Sequence, residues 1–142
     1  MTLPDRWAHT EALETRLGVT GLPVDVGAKP DSGGWEGAPQ ASPYHAYLVL
    51  HSLPGGSVDG SMSRPDDDAA WLWQVTAVGA TPEQCERAAD LARHALLNTP
   101  VTVSGRAVMR LTIETPGGAR RDDTVQDPIW ISTEIYRLTT TP

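Results

Sequence analysis

Four histidines, one cysteine and several clustered carboxylates are the residues in this 142-residue chain that could do chemistry. His45 and His51 fall on the same side of one extended stretch. Six residues of strand hold them roughly 20 Å apart, too far to share one metal ion. Two solvated or partly packed histidines is the plainer reading. His9 and His94 lie in helical stretches with no partner at ligand spacing. Asp66, Asp67 and Asp68 could offer oxygen ligands to a hard cation, but no EF-hand spacing surrounds them and a solvated acidic turn fits the pattern better. Arg120, Arg121, Asp122 and Asp123 place both signs of charge within four residues as a dipolar loop tip, for which a solvated turn is the plainer reading and a contact surface the alternative.

Cys85 has no partner for a disulfide, and no C-x-x-C motif exists. It lies on the apolar stripe of a helix, which suits a small core residue better than a nucleophile. Pro54-Gly55-Gly56 and Pro116-Gly117-Gly118 match neither the G-x-x-x-x-G-K-[ST] loop nor the G-x-G-x-x-G fingerprint. No G-x-S-x-G elbow is present. Without a visible nucleophile, base and orienting group, the expectation is no enzyme, no cofactor and no catalytic, cofactor-binding or metal-ligating residue. Trp71 and Trp73 share one face of a strand. Core packing is the default for them, and an aromatic contact surface is the alternative.

These side chains are carried by elements that the hydrophobic spacing outlines. Between Asp5 and Leu17, the residues Trp7, Ala8, Ala12, Leu13 and Leu17 make an amphipathic pattern, with Thr2 or Asp5 as cap and Gly18 as stop. Leu22 to Val26 suits a short extended piece. Thr81-Pro82-Glu83-Gln84 is a capping box with proline at the first helical position. The stripe Cys85, Ala88, Ala89, Ala92, Ala95 and Leu96 follows, small enough to lie close on a sheet, and Asn98-Thr99-Pro100 ends the helix. Four stretches alternate as strands. Tyr44 to Leu53 points Tyr44, Ala46, Leu48 and Leu50 one way. Trp71 to Val78 sets Trp71, Trp73, Val75 and Ala77 against Leu72, Gln74, Thr76 and Val78. Arg106 to Glu114 reads as Ala107, Met109, Leu111 and Ile113 inward, with Arg106, Arg110, Thr112 and Glu114 outward. Ile129 to Leu138 is apolar on both sides, as for a strand covered on both faces.

Strands in runs rather than strict alternation with helices predict one α+β domain over residues 1–142. It should hold a mostly antiparallel sheet of four to five strands with two helices packed on one face. Three long connections are expected, at Pro30–Pro43, Pro54–Asp68 and Thr115–Pro128. Loops of that length are uncommon in a compact domain unless they have work to do. Gly33-Gly34-Trp35 would set a large anchor, Trp35, on the first of them.

The formal net charge is −7 and there is one lysine, which argues against a broad basic face for duplex nucleic acid. The first sixteen residues have no apolar run of signal-peptide length. No segment approaches the roughly 20 apolar residues of a membrane span. A soluble protein of a cytoplasm, with no membrane partner, is expected.

The sequence from Pro43 to Leu97 resembles tail terminator proteins of long-tailed (siphovirus) bacteriophages of actinobacteria. It has a strand ending Pro54-Gly55-Gly56, an acidic loop, a strand ending "QVTAVG" and the "TPEQ" helix. The ending from Arg120, with its "YRL" strand and short tail, is similar to them as well. The resemblance implies an α+β virion subunit that forms a homo-oligomeric, hexameric ring. Such a ring caps the head-proximal end of the tail tube, ends tube polymerisation and provides the surface for head-tail joining. It also implies as partners the tail tube protein and a head-completion or neck protein. DNA would pass the lumen without specific binding, and no catalytic residue carries over. Trp35, Arg120, Arg121, Asp122 and Asp123 are the expected subunit or tube contacts. Another neck or tail-completion protein is the alternative, and a small ligand-binding α+β domain the more distant one.

Overall fold

The computed structural model describes residues 4–28, 46–61, 64–98, 100–123 and 129–142, with 57–61 and 64–67 described as backbone. Helix α1, Arg6–Gly18, starts at Asp5, whose Oδ1 accepts the N–H groups of Trp7 (3.0 Å) and Ala8 (3.4 Å). These are orphan donors that a helix start must satisfy. The buried stripe is His9, Thr10, Leu13 and Leu17. Trp7, expected on that stripe, is instead 56% exposed. Spacing by four from Leu17 and Leu13 arrives at His9, not at the tryptophan.

Strand β1, Val24–Val26, pairs in parallel with β2, Ala46–Ser61. β2 turns into β3, Arg64–Gly79, and the two pair antiparallel from Ala46↔Gly79 to Ser61↔Arg64. Helix α2, Pro82–Leu97, follows. Then come β4, Ala107–Thr115, β5, Arg120–Asp122, and β6, Ile129–Thr141. The sheet order is β1-β2-β3-β6-β4, and β5 pairs with β6 beyond the end of β4. The fold is α+β, as expected, with six described strands and only one parallel pairing.

One of the expected loops is largely strand and another holds a short one. Of Pro54–Asp68, residues 54–61 and 64–68 belong to β2 and β3. Pro54 falls where the register shifts between Leu53 and Ser57, so its missing N–H leaves no ladder position empty. Gly56, at φ +79°, makes that bulge possible: a Cβ there would lie 2.2 Å from the Ala70 carbonyl oxygen. Part of Thr115–Pro128 is β5. Pro30–Pro43, and with it Trp35, lies outside the described residues, as do His45 and Tyr44.

Both helices cover the same face of the sheet. Under them lie Ala46, Leu48 and Leu50 of β2, Trp71, Trp73, Val75 and Ala77 of β3, and Tyr136 and Leu138 of β6, joined by Leu13, Leu17 and the alanines of α2. Burying apolar area of this extent is the main stabilising term. α2 sits close because its stripe is small: a Cβ on Gly79 would lie 2.6 Å from the Cys85 nitrogen. Thr81 Oγ1 accepts the Gln84 N–H at 3.2 Å, and the Gln84 side chain accepts the Ala80 N–H at 3.1 Å, one residue further back than a standard box. On the opposite face a smaller cluster forms from Tyr47, Val49 and Val78, with Ala80 and Ile129 against it. β6 is therefore fully covered on its Tyr136–Leu138 side and half-covered on the side of Ile129, Ile131 and Ile135.

β4 corrects the expected facing. Register shifts separate Val108 from Arg110 and Ile113 from Thr115. The first bulge turns the alternation by one residue, so Val108, Leu111 and Ile113 pack on the core. Met109 stands 67% exposed and Ala107 is exposed too. Arg106, expected outward, is half-buried and donates to Thr140 Oγ1 (2.9 Å) and the Thr140 carbonyl (3.1 Å). A bulge flips the facing of everything that precedes it.

Candidate assembly surface

The charged residues expected at a loop tip lie along a sheet edge. β4 and β5 are laid end to end against β6, so together they form one border of the sheet. In β5, Arg120 faces Ile131, Arg121 faces Trp130 and Asp122 faces Ile129 in register. Arg120 and Asp122 thus share the side away from the helices, and Arg121 points with Trp130. Arg121 Nε meets Asp123 Oδ1 at 2.6 Å, with side chains 56% and 68% exposed. An ion pair that open to water contributes about 0–1 kcal/mol, so its value lies in where it sets charge. On the same border Arg137 Nε meets Glu114 Oε1 at 2.5 Å. Arg110 and Met109 are exposed beside them.

Two polar groups inside the molecule escaped the sequence reading. Glu134 lies on the helix-covered face of β6 with its side chain 3% exposed, and Arg93 of α2 grips it through NH2 at 2.8 Å and Nε at 3.3 Å. Tyr136 donates to the same carboxylate at 3.4 Å. The hydrogen bond to Glu134 raises the Arg93 pKa. Burial first, and the Glu134 charge second, raise that of Tyr136. The clue was available in Arg93, placed between Ala89, Ala92 and Leu96 of the buried stripe.

The second group surrounds His9. Its ring meets the Asp5 carbonyl through Nδ1 (2.6 Å) and Thr140 Oγ1 through Nε2 (2.7 Å). It stands edge-on to Trp71 at 5.2 Å and lies nearly parallel to Trp73 at 6.3 Å. Thr10 Oγ1 accepts the Trp73 indole N–H at 3.0 Å. Arg6 caps the cluster over both tryptophans and donates to the Leu53 carbonyl. A hydroxyl against an imidazole has the layout of a nucleophile and its base. Here neither His9 nor Thr140 has exposed surface, so no substrate reaches the pair.

The other candidates separate. Cys85 is fully buried, and burial, helped by Glu86, pushes its thiol up to about 11, which leaves it protonated at neutral pH. His51 faces Gln74 across the β2–β3 pairing, half-buried on the side without helices. Asp68 faces Asp59 on the hairpin. Among the described residues no three His, Cys, Asp or Glu side chains converge as metal ligands. Trp71 and Trp73 are core, as the default reading had them. An open groove of about 410 Å³ runs beside α1, between Ala8, Ala12 and Val19 and the segment Pro100–Ser104. No helix among the described residues is long and apolar enough to cross a membrane.

No protein-family model and no curated protein sequence matches the chain. Solved structures share its fold. A chain from the virion of a native gene transfer agent particle superposes with a TM-score of 0.60 at 15% identity, covering 93% of each chain. A second solved chain is 19% identical over 96% of this chain and 94% of its own, but at a TM-score of 0.49 the superposition is too loose to bear on function.

Proposed function

We propose that the chain is a structural subunit of a phage-like virion, and specifically a tail terminator. In this role it forms a homo-oligomeric, hexameric ring on the head-proximal end of the tail tube. The ring stops polymerisation of the tube protein and presents the surface on which the head-completion or neck protein docks. The observation that carries the reading is the shared fold with a virion chain over nearly the whole of both proteins. The terminator-like run from Pro43 to Leu97 narrows it to the tail.

Physical features of the chain suit that role. An excess of carboxylates, net −7, repels phosphates and lets DNA slide through a lumen without sticking. A sheet border carrying Arg120, Arg121, Asp122 and Asp123 offers both signs of charge to a neighbour, which sets register more than affinity. An exposed border is also a pairing liability that closure of a ring removes.

The test is a null mutant of the particle that encodes the chain. Heads and tails should accumulate unjoined, with tubes of abnormal length in electron micrographs. Unjoined heads with tubes of normal length would move the assignment to another neck protein. Normal joining and normal length would reject both.

A further inference from the structure

The hydrogen bonds around His9 favour one direction. The Asp5 carbonyl, 2.6 Å from Nδ1, is an acceptor only, so Nδ1 must carry a hydrogen. On the other side, Thr140 Oγ1 lies 2.7 Å from Nε2 and already accepts the Arg106 Nε–H at 2.9 Å. Directing its own hydrogen at Nε2 gives every donor of this buried chain an acceptor and leaves Nε2 a bare acceptor. In this arrangement the relay runs from Arg106 to Thr140 to His9 to Asp5, and it holds the imidazole neutral with its proton on Nδ1.

We propose that this relay is a proton-operated latch. Neutral His9 ties the first turns of α1 to the end of β6, and a second proton on Nε2 opens the tie. The ends it joins are far apart in sequence, and both flank the entry to β4 at Ala107↔Thr141.

Each neighbour acts on the added charge. A hydrogen on Nε2 faces the Thr140 hydroxyl hydrogen across 2.7 Å. If the hydroxyl turns away, its hydrogen loses this acceptor in a fully buried site. From the entry to β4, the Arg106 guanidinium repels an imidazolium. From α1 itself, Arg6 lies over the Trp71 and Trp73 rings at 5.4 and 5.9 Å, competing for the π-faces that would otherwise favour the cation. Asp5 pulls the other way, but its Oδ1 is engaged as the helix cap. β2 and β3 bring Ser52, Trp71 and Trp73 to the cluster.

Burial, then Arg106, lowers the imidazole pKa below the usual 6.5, against the Asp5 carbonyl and carboxylate. The unfolded chain consequently binds more protons than the folded one as the pH falls past 6.5. The latch contributes fully above that pH and is lost as the pH drops through the lower, folded value. Opening also loosens the turn of α1 whose Thr10 accepts the Trp73 indole N–H and whose Arg6 donates to the Leu53 carbonyl.

Nitrogen NMR of the imidazoles in the full chain reads the tautomer directly. Near neutral pH, His9 should show a protonated Nδ1 and a bare Nε2, with a titration midpoint below 6.5. Hydrogen-exchange protection in α1 and at 138–141, corrected for intrinsic rates, should fall about tenfold for each pH unit that separates the folded and unfolded midpoints. Tryptophan emission should shift to the red in the same window. In His9→Gln, this pH-dependent loss should disappear. A proton on Nε2 at neutral pH, a midpoint at or above 6.5, or an unchanged acid transition in His9→Gln would each overturn the latch. Should His9→Gln not fold, the tautomer and midpoint of the wild-type chain decide alone. None of these readouts depends on the virion role.

Discussion

Placing the Glu134 carboxylate beneath α2 takes a charge out of water, and the two-point grip of Arg93 with the Tyr136 hydroxyl offsets that cost. Removing one partner exposes the asymmetry: Arg93→Ala strands the carboxylate. It should destabilise the fold by about 2–3 kcal/mol in urea titration, less than the 3–5 kcal/mol of a fully enclosed pair because Arg93 keeps partial contact with water. A loss under about 0.5 kcal/mol would mean that Glu134 finds water instead. Little of this was legible in the sequence. Sequence reasoning passed over Arg93 and found for His9 no partner at ligand spacing. What decides their place is a partner some forty (Glu134) or 130 residues (Thr140) away, which no local spacing encodes. His9 did leave a trace, since it stands four and eight residues ahead of Leu13 and Leu17, while Trp7 stands off that stripe.

The elements were legible where one face is uniformly buried and unbroken. α2 needed only its cap and its stripe, and every stripe residue named from spacing is buried. β3 likewise put Trp71, Trp73, Val75 and Ala77 inside. β4 was read correctly at Leu111 and Ile113 and wrongly at Ala107 and Met109, because alternation carries its meaning only along a regular ladder and a bulge between Val108 and Arg110 reverses it. That reversal makes a sharp pair of expectations. Met109→Lys, on an exposed position, should change stability by no more than about 0.5 kcal/mol. Leu111→Lys, on the core side, should cost more, about 2 kcal/mol or above, for a long charged chain placed against apolar neighbours. Thermal unfolding of the two variants compares them directly, and equal effects would place the bulge elsewhere.

For the whole molecule, composition and element order were enough for an α+β domain with both helices on one side. More of the polar, proline-rich sequence is strand than composition suggests. Pro54, Pro65 and the paired glycines read as loop because their ladder positions were invisible. Each of those positions either lies at a bulge or pairs on one side only. The β4–β5 border, proposed as a contact surface, gives a prediction on this scale. Reversing Arg120, Arg121, Asp122 and Asp123 together (R120D, R121D, D122R, D123R) should leave the circular dichroism spectrum unchanged and impair capping of tail tubes in a mixing assay viewed by electron microscopy. Normal capping would take this border out of the contact while leaving the virion reading in place.

The position of β6 also bears on how the chain comes into being. It is the last strand in order, yet it sits between β3 and the β4–β5 border. During synthesis the β2–β3 hairpin and α2 can close as soon as they leave the ribosome, because their contacts are local. β4 and β5 have no strand to pair with until residues 129–141 emerge, and the Trp73 side of the core stays open until Tyr136 and Leu138 arrive. The nascent chain therefore carries two unpaired strands and an unfinished apolar face until translation has passed β6. In that interval it depends on speed or on chaperones to avoid sticking to its siblings.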